Sequence, residues 1–318
     1  MIRTLAALCL LVSLGLRAGD SNKPFELNDG ERVAFVGNTF TERDQYSGYF
    51  ETLLSIRFHN KNVIFRNLGW SGDTVWGHAR AGFGQPKDGF ENLNKHIQDL
   101  KPTTVFVCYG MSESFEGESG LSTYLQQLEK MLDILAKPGG RIVMISPIKH
   151  ENHGPPLPDP SEHNKNLRLY IDAMKKVAAT RGYLFIDLYE LLGEGDAKAR
   201  FTDNGIHLTP FGYWRAALAL EKGLGFAPIS SVDLNPLALP KTPVVEKAEA
   251  LRKAINAKNE HYFNRWRPQN DTYIYGFRKH EQGKNAALIP QFDPLINEKE
   301  AEIAKMRAEV AALAGVPK

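Results

Sequence analysis

The sequence predicts an α/β fold built on a parallel sheet of about five strands. Short, mostly apolar segments alternate with longer segments in which apolar residues recur at helical spacing. Strands of this kind are typical of a parallel sheet with helices on both faces. Glycine-containing turns follow the strands, and the carboxyl ends of parallel strands meet at one edge. We therefore expect a ligand site at that edge.

The predicted elements alternate along the first two thirds of the chain. Strands are predicted at 32–36, 62–68, 103–109, 141–146 and 184–188. Helices are predicted at 46–58, 90–100, 121–136, 161–181 and 210–224. Each predicted strand is followed by a predicted helix, which is the repeating unit of a parallel sheet. Pro210 opens the last helix, a position that proline favours.

The first residues are typical of a secretory signal. A short basic start is followed by a mostly apolar run at 5–16 and by the small residues Ala18 and Gly19. The run is shorter than the roughly 20 residues that a membrane span needs, so we expect no stable membrane insertion. The prediction is a signal peptide at 1–18 and an exported protein, either periplasmic or secreted.

The predicted main domain covers residues 19–225, and residues 226–318 form a C-terminal extension. Four prolines between 228 and 243 mark the connector between the two parts. Helices are predicted in the extension at 244–259 and 297–313. Between these helices lies a basic and aromatic stretch at 261–280. It is either a surface on which sugars stack or the packing of the extension on the main domain. Its large side chains favour packing.

The charge balance argues against a nucleic-acid partner. The chain has 39 basic and 37 acidic residues, and removal of Arg3 and Arg17 with the signal leaves 39 − 2 = 37 basic residues. A protein without net positive charge lacks the attraction to phosphate that drives nucleic-acid binding. Cys108 is the one cysteine beyond the signal, so no intramolecular disulfide forms. The sequence does not indicate an oligomeric state.

His207 is the first candidate for a catalytic residue. It lies in the loop Phe201-Thr202-Asp203-Asn204-Gly205-Ile206-His207, directly before the helix at Pro210. Asp203 precedes it by four residues and Asn204 by three. Either side chain can reach the imidazole, but only Asp203 can stabilise its charged form electrostatically.

A hydroxyl nucleophile for this histidine is found after the first strand, in Gly37-Asn38-Thr39. Thr39 carries a methyl group that restricts its rotamer and crowds the path of attack. The alternative is a structural role, because Thr39 and Glu42 have the spacing of a capping box. From the spacing alone, the capping role is favoured.

Two further turns offer donors for an oxyanion. In Gly69-Trp70-Ser71-Gly72, the amide of Gly72 can face developing negative charge, and the lack of a Cβ permits close approach. In Gly110-Met111-Ser112-Glu113, the Ser112 hydroxyl can add a second donor. The alternatives are a tight turn for the first block and a capping serine for the second.

Together these blocks resemble the SGNH (GDSL-type) hydrolase superfamily, named for a serine, a glycine, an asparagine and a histidine in separate blocks. The resemblance covers about residues 31–225 and implies a three-layer α/β/α fold with a flavodoxin-like sheet. The resemblance implies that Gly72 is the oxyanion glycine and that His207 is the catalytic histidine. Thr39 stands in place of the nucleophilic serine, and Ser112 in place of the oxyanion asparagine.

The resemblance also locates the residue that would orient His207. Asn204 stands at the position of the family's acid and is a possible orienting residue. Asp203 lies one position out of register and is the predicted catalytic acid that orients His207. Asn38 stands where the family has the aspartate of Gly-Asp-Ser, and it is a possible orienting residue. The extension is similar to those of exported SGNH-like proteins from planctomycete-type bacteria.

The function expected from the resemblance is an exported ester hydrolase similar to carbohydrate O-acetylesterases, acting on a small-molecule or glycan ester. The alternative is a catalytically impaired protein that binds carbohydrate in the same cleft. No metal or other cofactor is predicted. His150 and His153 are only two potential metal ligands, and a solvated loop is the favoured interpretation of that segment.

Overall fold

The computed structural model describes residues 24–317. The predicted signal peptide at 1–18 therefore lies outside the described residues. Five parallel strands form one sheet in the order β2-β1-β3-β4-β5. The strands are β1 (Arg32–Gly37), β2 (Ile64–Asn67), β3 (Thr104–Cys108), β4 (Arg141–Ile145) and β5 (Leu184–Ile186).

Eleven α-helices are described in this part of the chain. In the main domain they are α1 (Thr39–Ser47), α2 (Tyr49–Arg57), α3 (Pro86–Leu100), α4 (Gly117–Ala136), α5 (Ser161–Arg181), α6 (Leu188–Leu192) and α7 (Pro210–Gly223). In the extension they are α8 (Pro243–Trp266), α9 (Asp271–Ile274), α10 (Lys279–Gln282) and α11 (Phe292–Ala314). Short 3-10 helices cover Ala79–Ala81, Glu113–Glu116 and Gly283–Gln291.

The two-residue period of the strands builds a core on each face of the sheet. Val33 and Phe35 belong to one apolar cluster, which includes residues of α2, α7, α8 and α11. Ala34 and Val36 belong to a second cluster, formed with α3, α4 and α5. Side chains of a strand point alternately to opposite faces. The sheet is thus covered on both sides, which confirms the predicted three-layer α/β/α fold.

The prediction of a single helix at 46–58 was wrong. Two helices, α1 and α2, meet at Gly48, whose φ of +66° a residue with a side chain rarely adopts. A Cβ at Gly48 would lie 2.1 Å from Asn256 Oδ1 of α8. The sequence of α1 is mostly polar and lacks an apolar stripe, so its periodicity does not reveal a helix.

The extension packs on the main domain through α8 and α11. Leu251 of α8 and Val310 of α11 lie in the same apolar cluster as Phe35 of β1. Lys258 Nζ donates to Glu51 Oε1 of α2 at 2.6 Å, and both side chains are buried. Removing one member of such a pair leaves an uncompensated buried charge. Helix α8 also continues past its predicted end at 259 to Trp266.

No helix between residues 24 and 317 is both long and apolar enough to cross a bilayer.

Candidate active site

The turns that follow β1, β3 and β4 meet the loop before α7 in one small pocket at the carboxyl edge of the sheet. Its volume is about 40 Å³. Its lining residues are Asn38, Thr39, Phe40, Cys108, Met111, Ser112, Pro147, Ile148, Ile206 and His207. The structure therefore brings the candidate nucleophile, the candidate oxyanion serine and the histidine together. The space suits a group of only a few heavy atoms.

Thr39 is the first residue of α1, and its hydroxyl faces the loop after β2. The Gly72 N–H donates to Thr39 Oγ1 at 3.1 Å. The N–H groups of a helix's first turn have no acceptor within the helix, and the helix dipole stabilises negative charge there. A nucleophile and a backbone donor are thus in contact at the positive end of a helix.

The capping-box interpretation of Thr39 was wrong. Asn38 is the N-cap of α1, and its Oδ1 accepts a hydrogen bond from the Phe40 N–H at 3.2 Å. Asn38 therefore fixes the start of the helix on which Thr39 sits. Glu42 does not cap the helix, because its carboxylate accepts from the Ser71 N–H at 2.7 Å.

The loop that carries Gly72 is held against α1 by Asn67, the last residue of β2. Asn67 Nδ2 donates to the Thr41 carbonyl at 2.7 Å, and its Oδ1 accepts from the Gly69 N–H at 2.8 Å. A Cβ at Gly69 would lie 2.3 Å from the Glu42 nitrogen, so only glycine fits there. Gly72 is different, because its φ is +75° and a Cβ would meet nothing within 4 Å. Its left-handed backbone favours glycine, and the space beside it leaves the amide open to a bound group.

A second support of the same loop comes from the extension. Arg267 Nη1 donates to Glu42 Oε2 at 2.6 Å, the oxygen that also accepts from Ser71. The Arg267 guanidinium lies 3.6 Å from the centre of the Trp70 ring. A charged partner and a cation–π contact therefore hold the two residues that precede Gly72. No sequence motif connects Arg267 with this loop.

Ser112 is an exposed residue of the pocket, and the buried Glu113 positions it. The Glu113 carboxylate accepts from the Val75 N–H and from the Gly110 N–H, each at 2.9 Å. Burial raises the pKa of Glu113 to about 7, although the hydrogen bonds from backbone amides lower it. Glu113 ties the turn after β3 to the loop after β2, a role that its motif alone does not indicate.

His207 is paired with Asn204 through its Nδ1. The distance between Asn204 Nδ2 and His207 Nδ1 is 2.9 Å. Asn204 Oδ1 accepts from the His207 N–H at 3.0 Å and from the Ile206 N–H at 3.3 Å. Because two N–H donors face the amide oxygen, the NH₂ group must face the ring. It donates to Nδ1, so the proton of neutral His207 is on Nε2.

The expectation that Asp203 orients the ring was wrong. Its carboxylate points towards Arg43, with 3.8 Å between Asp203 Oδ2 and Arg43 Nη1, and more than half of its side chain is exposed. Only its backbone joins the loop, since the Asp203 N–H donates to the His207 carbonyl at 2.9 Å. Burial and then the Arg43 charge lower the pKa of His207, whereas the Asp203 charge raises it.

The loop at 201–207, which carries His207 and is called the histidine loop below, is anchored by Glu151. No sequence motif indicates this role of Glu151. Its carboxylate accepts from the Thr202 N–H at 2.9 Å and from the Thr202 hydroxyl at 2.5 Å. Its own N–H donates to the Gly205 carbonyl at 2.8 Å. His153 contacts the same carboxylate at 3.1 Å and is only 13% exposed. The interpretation of this segment as a solvated loop was therefore wrong for His153.

The other histidine considered as a metal ligand has a structural contact as well. His150 Nδ1 lies 2.8 Å from His163 Nδ1, and a Cβ at Gly205 would lie 2.8 Å from the His150 ring. His150 thus lies against the histidine loop. Within residues 24–317, no three histidine, cysteine, aspartate or glutamate side chains are grouped so that they could hold a metal ion.

The sequence matches a known family of hydrolases. The profile of the GDSL-like Lipase/Acylhydrolase family matches residues 30–215, which is more than half of the 318 residues. The chain belongs to this family. No curated protein matches the sequence significantly.

Solved structures show the same fold. An acetylxylan esterase from Geobacillus stearothermophilus is similar with a TM-score of 0.50 and 20% identity, over 64% of this chain and 98% of the esterase. Its catalytic mutants replace a serine, an aspartate and a histidine, the last two three positions apart. A gut microbial diltiazem-metabolizing enzyme is similar with a TM-score of 0.58 and 15% identity, over 91% of this chain and 96% of that enzyme.

Proposed function

We propose that this protein is an exported ester hydrolase that removes small acyl groups, acetyl in particular, from carbohydrate hydroxyls. The main support is the contact at 3.1 Å between the Thr39 hydroxyl and the Gly72 amide, in a pocket that His207 also lines. This arrangement places a nucleophile beside an oxyanion donor and a candidate base. Membership of the acylhydrolase family supports the same reaction.

The reaction begins with attack of Thr39 Oγ1 on the ester carbonyl. The backbone N–H groups of Thr39 and Gly72 and the Ser112 hydroxyl stabilise the oxyanion. His207 takes the proton from Thr39 and passes it to the leaving alcohol. Water then hydrolyses the acyl-enzyme with His207 again as the base.

The geometry at Asn204 makes proton transfer the difficult step. The base needs an unprotonated Nε2, but the Asn204 NH₂ group stabilises the tautomer with the proton on Nε2. Replacing the aspartate of a serine–histidine–aspartate triad by asparagine lowers kcat about 10⁴-fold for this reason. The wild-type enzyme is therefore expected to be slow.

The size of the pocket and the likeness to an acetylxylan esterase support an acetyl ester of a carbohydrate as the substrate. A space of about 40 Å³ is sufficient for an acetyl methyl. The similar esterase has an aspartate three positions before its catalytic histidine, and Asn204 has that spacing from His207. The chain carries asparagine at the same spacing from its histidine, and an asparagine there would impair the base.

A second candidate function is carbohydrate binding without turnover. It is favoured by the donor that Asn204 presents to His207 Nδ1, together with the threonine at position 39. In that case the pocket would bind an acylated sugar and release it unchanged.

Hydrolysis of 4-nitrophenyl acetate and of acetylated xylo-oligosaccharides by purified protein separates the two functions. Thr39→Ala and His207→Ala should each abolish turnover. The exposed His280 and the exposed Thr180, near the end of α5, provide matched controls, so His280→Ala and Thr180→Ala should be as active as the wild type. Turnover that survives both site substitutions would refute the assigned roles. Export is tested separately by the mature amino terminus, expected near residue 19.

A further inference from the structure

A second, larger cavity lies between the extension and the main domain. It has a volume of about 660 Å³ between α3 and the last turn of α8, and a space of about 290 Å³ adjoins it. The two share the lining residues Trp70, Arg80, Asn92, Arg267, Pro268 and Asp271. They therefore form one groove, which we call the tail cleft. Its size is that of a ligand site.

Exposed aromatic rings line the tail cleft. Phe83 is 83% exposed and Phe277 72% exposed, and their ring centres are 5.8 Å apart in an edge-to-face arrangement. Tyr275 is 56% exposed and lines the larger part. Single exposed apolar side chains are common, but a contiguous group at a cleft marks a binding surface. Phe83 belongs to the main domain and the other two rings to the extension, so the surface exists only when both are in place.

The charges in the tail cleft are largely compensated. Arg80 pairs with the buried Asp73, Arg265 with Asp293, and Arg267 with Glu42. The walls also present the amides of Asn92 and Gln269 and the exposed carboxylate of Asp271. Buried nitrogens of Arg80, His96 and Trp266 have no hydrogen-bond partner among the described residues. The surroundings thus supply aromatic faces and hydrogen-bonding groups without a strong net charge.

These features fit a neutral oligosaccharide. The C–H faces of sugar rings pack on aromatic rings, and sugar hydroxyls bond to amides, carboxylates and guanidinium groups. A nucleotide or another polyanion would need an excess of unpaired cations. The three arginines of the cleft have carboxylate partners, and the remaining wall cation, Lys95, is outnumbered by the wall carboxylates of Asp99 and Asp271.

The tail cleft begins close to the candidate active site. Trp70 forms part of its wall and precedes Gly72 by two residues, so their Cα atoms are at most about 7 Å apart. A chain of sugars that leaves the small pocket on this side enters the cleft.

We propose that the tail cleft binds sugar units of a neutral oligosaccharide and thereby presents an ester of the same chain to Thr39. The placement of the ester rests on the proposed function, whereas the binding of sugar does not. The extension then supplies half of the surface that recognises the glycan, through Phe277 and Tyr275. The main domain supplies the other half, through Phe83 and Trp70.

Isothermal titration of the full protein with unacetylated xylohexaose, cellohexaose and chitohexaose tests the binding. At least one of these oligosaccharides should bind, and the double variant Phe83→Ala/Phe277→Ala should bind it about tenfold more weakly. Tyr46→Ala removes an aromatic side chain that is 60% exposed outside the cleft, so it should bind as the wild type does. Since the substituted rings are exposed, the melting temperature should stay unchanged.

Kinetics separate this proposal from the proposed function. The double variant should lose about tenfold in kcat/KM on acetylated xylohexaose and nothing on 4-nitrophenyl acetate, which is too small to reach the cleft. Absence of binding for all three oligosaccharides, or equal binding by the double variant and the wild type, would overturn the tail cleft as a glycan site. If both esters resist hydrolysis while the double variant still loses glycan binding, the proposed function fails and the cleft stands.

Discussion

The two sides of the candidate active site differ in how well they are prepared for ester hydrolysis. On one side, the Gly72 amide contacts the Thr39 hydroxyl at 3.1 Å, and Asn67 and Glu42 hold the loop that carries it. On the other side, Glu151 holds the loop that carries His207, but Asn204 gives His207 a donor at Nδ1. One side presents a donor where charge develops, and the other stabilises the tautomer that cannot act as a base.

The comparison shows that rigidity and chemical competence are separate properties of a site. Both loops are fixed by buried carboxylates or amides that accept backbone hydrogen bonds. Only the loop that carries Gly72 presents its functional group, the backbone N–H, in the form that the reaction needs. The loop that carries His207 favours the tautomer with the proton on Nε2. The proton-transfer pair, more than the oxyanion donors, is therefore expected to limit the rate.

The largest effect is expected from Asn204→Asp. A carboxylate at this position accepts the Nδ1 proton and frees Nε2, so kcat for 4-nitrophenyl acetate should rise by on the order of 10² to 10⁴. Asp203→Asn is the matched control, because Asp203 faces Arg43 and not the ring, and it should leave kcat within a few-fold. An unchanged or lower rate in Asn204→Asp would show that the tautomer does not limit turnover.

A smaller gain in kcat is expected on the oxyanion side of the site, where the Gly72 donor is already in place. Ser112→Asn supplies a longer donor at the edge of the pocket, and kcat should rise about tenfold to a hundredfold, since one oxyanion donor typically contributes 10² to 10³ in rate. Ser112→Ala tests the native hydroxyl and should lower kcat. If neither substitution alters kcat, Ser112 lies outside the oxyanion site.

A loss of about tenfold in kcat is expected when the support from the extension is removed. Arg267→Ala takes away the partner of Glu42 and the contact with Trp70, so the Gly72 amide is held less accurately. KM for 4-nitrophenyl acetate should change little. Arg265→Ala is the matched control, because its ion pair with Asp293 is half exposed and far from Ser71 in the bonding network. Equal losses in both variants would indicate a general effect of the extension.

The smallest effect is a shift in pH dependence. His207 must be neutral to take a proton, so kcat/KM falls as the pH falls through its pKa. Burial and then Arg43 lower that pKa, so the acidic limb should lie below the ordinary value for histidine. Arg43→Ala removes one lowering cause and should move the limb to higher pH, whereas Asp203→Asn should move it to lower pH. Movement in the opposite directions would contradict the electrostatic description of this loop.

Much of the fold and the position of the site could be predicted from the sequence, because apolar strands and the turns after them are local patterns. Thr39, Ser112 and His207 lie together at the predicted edge, and the Gly72 amide contacts Thr39 there. Other features depend on distant or fine geometry. Helix α1 is too polar to show a period, and Arg267 reaches Glu42 across 225 residues.

The partner of His207 is another feature that the sequence alone does not decide. The spacing of the loop left Asp203 and Asn204 as alternatives, and charge alone favoured Asp203. The structure selects Asn204, because its amide nitrogen lies 2.9 Å from His207 Nδ1 while the Asp203 carboxylate faces Arg43. That choice depends on the loop conformation and not on residue type.

The tautomer of His207 is the most direct test of this account. Nitrogen-15 NMR of the imidazole, assigned with His207→Ala, measures which ring nitrogen carries the proton above the pKa. The pairing of His207 with Asn204 predicts the proton on Nε2 in the wild type and on Nδ1 in Asn204→Asp. A wild-type ring protonated on Nδ1 would contradict it.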